Sequence, residues 1–196
     1  AMRCATGLPV HGRAVRQGLC VYVCGEGHAG FGRRLTAWSA HNRTDLRDVP
    51  LYLTQSAVPM PDPTGPAALQ AEIEGIAERL GLEPQIIVID TLARNLNGDE
   101  NSSADMGAFV QSLDTYLRRP FSACVLVLHH PGHGDKGRGR GASAFPAAVD
   151  VEYLLERTGD DLRMSTSKPA KDFESPDPMC WRLTPIPLLI NDTPAS

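Results

Sequence analysis

Residues 86–90 read Ile-Ile-Val-Ile-Asp, and this short apolar run limits which folds the rest of the chain can adopt. Four consecutive β-branched residues are typical of a strand that is buried on both faces, as in a parallel sheet. Parallel strands are joined by long crossover connections, usually helices. We therefore expect a helix on each side of this strand along the chain.

Helical periodicity occurs on both sides, as expected. The apolar positions are Leu69, Ile73, Ile76, Ala77 and Leu80 before the strand, and Met106, Phe109, Val110, Leu113 and Leu117 after it. Each set follows a period near 3.6 residues, which predicts two amphipathic helices. Gly81 ends the first, and the second ends near Pro120. Residues 57–66, with four prolines, predict a connecting loop, and residues 95–103 a polar loop.

Three further apolar runs predict strands that pair with the first. Leu19–Cys24 precedes a glycine-rich turn, Leu51–Leu53 is short, and Ala123–Leu128 is a second continuous run that predicts another buried strand. A short helix is predicted over 33–38. The order of strand, helix and strand defines βαβ units with right-handed crossovers.

The second half of the chain has a different pattern. Val151–Arg157 and Leu162–Ser167 predict a hairpin, and Met179–Leu183 a third strand. A short helix is predicted over 143–149. We expect these strands to be antiparallel and to lie at the edge of the parallel sheet, which makes the fold class α/β.

The composition is that of a globular domain. The chain has 196 residues, of which 42% are hydrophobic, and a net charge of −4, which excludes disorder and a wholly basic nucleic-acid coat. Apolar runs are strand-sized, so we expect no membrane span and a cytoplasmic location. Cys20, Cys24 and Cys124 lie in apolar runs and predict buried free thiols, with zinc at Cys20 and Cys24 as the alternative.

Polar residues follow three of the predicted parallel strands. They are Glu26, then Asp90 and Thr91, then His129 and His130. Ligands of open α/β sheets bind beyond the carboxyl ends of the strands, so these residues are candidates for one site. An aspartate anchored by a buried strand can hold magnesium, directly or through water. Polar residues that simply mark where each strand reaches the surface are the alternative.

The segments VYVCGEG, IIVIDTLAR, VLVLHHPG, RGRGASAFPAAVD and TSKPAKD occur in this order. In that order they resemble the RecA-like ATPases, most closely the hexameric replicative helicases of the RepA branch, found in plasmid and phage replication. The resemblance spans roughly residues 5–185. It implies a RecA-like, mostly parallel sheet flanked by helices, with C-terminal antiparallel strands. It also implies ATP and magnesium as cofactors, single-stranded DNA as a partner and a homo-oligomeric, hexameric ring.

The resemblance assigns roles to several positions. Glu26 matches the glutamate that polarises the attacking water, Asp90 the Walker B acid, and His129 the histidine that senses the nucleotide. Thr91, directly after Asp90, falls in the nucleotide site. The arginine region after the glutamate matches Arg33 or Arg34.

Three later cations also match family positions. Arg140 begins Arg-Gly-Ala-Ser-Ala, and in the ring an arginine here can reach the γ-phosphate bound by the neighbouring subunit. Lys168 and Lys171 occupy a strand region where related helicases carry a second pair of cations that act on the neighbouring subunit. An exposed hairpin that carries solvated lysines is the alternative for these two.

Residues 132–141 match the family loop that faces single-stranded DNA in the central channel. Lys136, Arg138 and Arg140 against Asp135 give this segment a net charge of +2. Cations among flexible glycines suit a phosphate backbone without reading bases. An ordinary surface loop is the alternative.

The P-loop pattern G-x-x-x-x-G-K-[ST] does not occur in this sequence. In the family it precedes the strand that matches Leu19–Cys24, so we expect it upstream of Ala1. Residues 1–190 would then form one RecA-like domain without Walker A, with a flexible tail over 191–196. Two hypotheses stay open: a truncated helicase ATPase domain that is inactive as this fragment, or a degenerate, non-catalytic module for oligomer assembly or DNA binding.

A metal-dependent hydrolase is a third hypothesis. His129, His130, His133 and Asp135 lie within seven residues, and Glu26 and Asp90 could lie near them. Two histidines four apart share a helix face, but Pro131 and Gly132 disfavour a helix there.

Overall fold

The apolar run over 86–89 lies inside a four-stranded parallel sheet, which confirms the central prediction from the sequence. The computed structural model describes residues 1–130, 144–190 and 193–194. The strands of this sheet are β1 (Leu19–Cys24), β2 (Leu51–Leu53), β3 (Pro84–Asp90) and β4 (Cys124–Leu128). Their order is β2-β1-β3-β4, and every pairing is parallel.

Helices connect these strands. Those described are α1 (Met2–Thr6), α2 (His28–Asn42), α3 (Thr64–Leu80), α4 (Leu92–Leu96), α5 (Ser103–Ser112), a π-helical segment (Leu113–Arg118), α6 (Arg119–Phe121) and α7 (Ala144–Ala148). The two amphipathic helices are confirmed, and Gly81 ends α3 in a left-handed conformation (φ 62°). The helix predicted over 33–38 is longer than expected, and the loop predicted over 57–66 ends at Pro63, where α3 begins.

The core lies between one face of the sheet and helices α3 to α5. Successive side chains of a strand point to opposite faces. One face of β1 and β3 presents Val21, Val23, Ile87 and Ile89, which are all buried in a cluster with Phe109. The other face is covered in part by α1 and by Phe31 of α2, whose ring packs edge-on against Tyr22.

The prediction that residues 123–128 form a strand buried on both faces is wrong. β4 is an edge strand, and its residues alternate between exposed and half-buried. Leu126 and Leu128 are 41% and 37% exposed. Cys124 points to the same side and is also exposed, so the prediction of a buried thiol holds for Cys20 and Cys24 but not for Cys124.

The polar loop predicted over 95–103 is partly wrong, because Asn95 is fully buried in α4. Its side-chain oxygen accepts the Val58 amide at 2.8 Å, and its side-chain nitrogen donates to the Thr91 carbonyl at 2.8 Å. The backbone carbonyl of Asn95 accepts the Met60 amide at 2.8 Å. One polar residue thus ties the proline-rich connection to the segment that follows β3.

The second half forms a separate antiparallel sheet, β5 (Tyr153–Thr158), β6 (Asp161–Thr166) and β7 (Met179–Arg182). Gly159 takes a positive φ of 62° in the two-residue turn of the hairpin. Among the described residues no strand of this sheet pairs with the parallel sheet. Two other contacts join this half of the chain to the first half. α7, which precedes β5, packs on α5, and Trp181 of β7 hydrogen-bonds to His11.

At the end of the described chain, β8 (Leu189–Ile190) pairs with β9 (Thr193–Pro194). The rest of the tail predicted over 191–196 lies outside the described residues. No helix in the described ranges is long and apolar enough to cross a membrane.

Replacing Asn95 tests whether this buried amide holds the connection in place. Asn95→Ala removes both side-chain hydrogen bonds and takes from the Val58 amide its side-chain acceptor, while the Thr91 carbonyl still accepts the amides of Arg94 and Asn95. One such loss costs about 1–3 kcal/mol, so we expect urea denaturation to report stability lower by about that amount. Asn101→Ala, in the exposed loop before α5, is the control and should change stability by less than about 0.5 kcal/mol. Equal stabilities for the two variants would contradict this account.

Candidate functional site

The carboxyl ends of β1, β3 and β4 meet at one edge of the sheet, as predicted. Cys24 of β1 pairs with Asp90 of β3, and Asp90 pairs with Leu128 of β4. This register places the residues after each strand side by side. Glu26, Thr91 and His130 therefore converge from three different strands.

Asp90 and Tyr22 are on the same face of the sheet. Asp90 pairs with Cys24, and Tyr22 lies two residues before Cys24 on β1. The Tyr22 hydroxyl donates to Asp90 Oδ2 at 2.6 Å. Burial, and then this hydrogen bond and the negative charge of Asp90, raise the pKa of the Tyr22 phenol. Burial, and then the Asp90 charge, also raise the pKa of the neighbouring Cys24 thiol. Asp90 is thus a half-buried carboxylate in a setting that keeps its neighbours neutral.

Glu26 is held by two groups that come from neighbouring strands. Arg94 Nε donates to Glu26 Oε2 at 3.3 Å. His130 Nε2 lies 3.5 Å from Glu26 Oε1. Arg94 was not predicted as a site residue, although it lies in the quoted segment IIVIDTLAR. The signal that could have identified it is its position four residues after Asp90, on a helix that starts at the sheet edge.

The two histidines after β4 have different surroundings. His130 is exposed and faces Glu26. The predicted nucleotide sensor, His129, is half-buried, and its ring stands edge-on to Phe145 with centroids 6.3 Å apart. Phe145 belongs to α7 and also contacts Phe109 of the core. His129 therefore connects the sheet edge with the helix that follows residues 131–143.

The remaining predicted site residues lie on α2, at the carboxyl end of α7 or outside the described chain. Arg33 is exposed on α2. Lys168 donates to the carbonyls of Pro146 and Val149, and Lys171 to those of Ala147 and Ala148, at 2.8 and 3.0 Å. Both lysines thus cap the carboxyl end of α7, where the helix dipole favours a cation. The other predicted cations, Lys136, Arg138 and Arg140, lie outside the described residues.

The donor groups at the edge fit a magnesium ion that arrives with a phosphate ligand. Asp90 offers one carboxylate and Thr91 one hydroxyl, and magnesium is commonly held by one or two carboxylates with water and substrate phosphates. Thr91 is 4% exposed and is the N-cap residue of α4. The described residues contain no group of three or more His, Cys, Asp or Glu placed to hold a metal ion. None of the five cysteines forms a disulfide.

The metal-dependent hydrolase hypothesis gains no support from the described residues. Of its residues, His133 and Asp135 lie outside the described chain. The others belong to no described group of three or more that could hold a metal ion.

The sequence profile of the AAA domain matches residues 1–136. The chain belongs to the AAA domain family. No curated protein matches the sequence of this AAA domain.

Solved structures confirm the fold of this AAA domain. Among them is the crystal structure of the RadB recombinase, with a TM-score of 0.59 and 13% sequence identity. The match covers 85% of this chain and 76% of that one. A likeness at this identity establishes a shared fold, and it confirms the predicted RecA-like α/β architecture. An AAA-type domain of this fold indicates an ATPase-type function.

The Tyr22 phenol provides a test of the geometry around Asp90. Because the folded AAA domain disfavours the phenolate, we expect ultraviolet titration to show a tyrosine that ionises well above the ordinary range. Tyr22→Phe should remove that late step, and Asp90→Asn should bring it to lower pH. The stability that this shift contributes is complete below the ordinary tyrosine pKa and declines as the pH rises above it. Tyr153→Phe, at an exposed position on β5, is the control that should leave the late step in place.

Proposed function

We propose that this AAA domain is the ATPase domain of a RepA-type replicative helicase, which couples ATP hydrolysis to movement along single-stranded DNA in plasmid or phage replication. The observation that carries the proposal is the pairing of β1 with β3, which brings Glu26 and Asp90 to one sheet edge. Hydrolysis needs a carboxylate that orients the attacking water and another that binds magnesium. Here Glu26 follows β1, and Asp90 is the last residue of the adjacent strand β3.

Each residue has a role in this proposal. Asp90 would hold magnesium, through water, with Thr91 beside it. Magnesium, when bound, offsets the negative charge of the phosphates. Glu26 accepts a proton from the attacking water, and His129 senses the nucleotide through its contact with α7. Arg33, or Arg34 beside it, reaches the nucleotide from α2.

The proposed ring adds residues from a neighbouring copy of the chain. Arg140 is proposed to reach the γ-phosphate of the adjacent subunit, and Lys136 and Arg138 to contact the DNA backbone. A similar role for Lys168 and Lys171 requires both ammonium groups to leave the carbonyl oxygens of α7. A homohexamer is the proposed assembly, and residues 1–190 its RecA-like unit.

A second candidate function is a non-catalytic module for oligomer assembly or DNA binding. The observation that favours it is the sequence itself, in which no glycine-lysine-serine or glycine-lysine-threonine occurs. In P-loop proteins those residues cradle the phosphates. Both candidates use the same fold, so nucleotide binding separates them.

Calorimetric titration with a non-hydrolysable ATP analogue tests the nucleotide site. We expect weak binding that magnesium strengthens, because Asp90 supplies one ligand and the phosphates the others. Asp90→Asn should abolish the dependence on magnesium, whereas Asp48→Asn, an exposed aspartate before β2, should preserve it. Tight binding would contradict the non-catalytic module, because this chain would then hold nucleotide without the glycine-lysine-serine or glycine-lysine-threonine of a P-loop.

DNA binding through residues 132–141 is tested by fluorescence anisotropy with a labelled single-stranded oligonucleotide. Binding should weaken as salt rises, because cations on the protein displace counterions from the phosphates. Replacing both Lys136 and Arg138 with Ala should weaken it severalfold and reduce the salt slope by about 1–2. In the control, Arg157 and Arg163 of the antiparallel sheet are both replaced with Ala, which also removes two positive charges. An equal loss in both double variants would show that the effect is one of net charge and not of this segment.

A further inference from the structure

The Arg94 side chain lies beside the carboxyl end of β1, where β1 and β3 pack closely. The Gly25 amide donates to the Asp90 carbonyl at 2.5 Å. A Cβ at residue 25 would lie 2.6 Å from Arg94 Cβ and 2.8 Å from the Asp90 carbonyl oxygen. Only glycine at this position leaves room for the stem of Arg94 beside the end of β1.

The stem of Arg94 is therefore confined while its guanidinium extends to the surface. The arginine side chain is 62% exposed and the Glu26 side chain 37%. Arg94 lies on α4, where the next two residues, Asn95 and Leu96, are fully buried. The backbone of Arg94 is therefore held by the core, while its guanidinium contacts Glu26 near the carboxyl end of β1.

The two Glu26 oxygens contact different partners. Arg94 donates to Oε2 and His130 Nε2 lies near Oε1, at 3.3 and 3.5 Å. One partner follows β3 and the other follows β4. A carboxylate contacted from two sides cannot rotate without losing one of the contacts.

We propose that Arg94 is a positioning residue that directs the Glu26 carboxylate, with His130 as the second contact. The inference rests on the proposed function, in which Glu26 accepts the proton of the attacking water. Exposed ion pairs add little to stability, so the effect of this pair lies in orientation. Misplacing a catalytic group by about 1 Å can cost up to a hundredfold in rate.

Arginine side-chain NMR tests the pairing without any nucleotide. In the full chain, the Arg94 Nε–Hε signal, assigned by its absence in Arg94→Lys, should move in Glu26→Gln. Glu83→Gln is the matched control, because it breaks the exposed Arg16–Glu83 pair, whose atoms are 3.6 Å apart. The Arg94 signal should be unchanged there. If it is also unchanged in Glu26→Gln, the positioning role is overturned.

Glycine variants test the origin of the Arg94 position. Gly25→Ala should displace the Arg94 signal as Glu26→Gln does, because the new methyl group overlaps the Arg94 stem. Gly75→Ala, in α3 with no atom within 4 Å of the added Cβ, should leave it in place. If Gly25→Ala does not fold, Arg94→Ala is used instead. Loss of the Arg94 contact should change the His130 ring signals, because both residues contact Glu26. Unchanged His130 signals in Arg94→Ala would contradict the proposal that both residues position Glu26.

Hydrolysis assays then separate this inference from the proposed function. Arg94→Ala should lower kcat about tenfold with KM within about twofold, and Arg94→Lys should recover part of the rate. If the native chain does not hydrolyse ATP, as the missing P-loop pattern predicts for this fragment, the NMR result still decides whether Arg94 positions Glu26. A native rate in Arg94→Ala would overturn the positioning role and leave the proposed function standing.

Discussion

The close approach of β1 and β3 at their carboxyl ends is the constraint on which the candidate site depends. Their register aligns Cys24 with Asp90, and the next residue, Gly25, continues the contact through its amide. Because residue 25 has no side chain, the two backbones come together and the chain after β3 can turn directly into α4. A larger residue would separate Glu26 from Asp90 and remove the shared edge.

Much of this arrangement could be predicted from the sequence, because it follows from strand burial and strand polarity. Ile87, Val88 and Ile89 are buried on both faces of β3, as a β-branched run requires. Once the strands are parallel, Glu26, Asp90 and the histidines must lie at one edge. The helical faces before and after β3 were also predictable, since both pack on the same core.

The failures of prediction have a physical cause in tertiary context. Ala123–Leu128 has the composition of a central strand, yet β4 has a neighbour on one side only among the described residues. Residues 95–103 are polar and suggest a loop, but Asn95 is buried because its amide satisfies backbone groups of two segments. Arg94 was missed because its contact with Glu26 joins residues 68 positions apart. Local patterns carry no information on such contacts.

Arg94 and Asn95 are consecutive residues of α4 that contact different parts of the chain. One residue points outward to the carboxylate after β1, and the next points inward to the connection that leads into α3. The amides of Val58 and Met60 both donate to Asn95, so this five-residue helix contacts the carboxylate after β1 on one side and the proline-rich connection on the other.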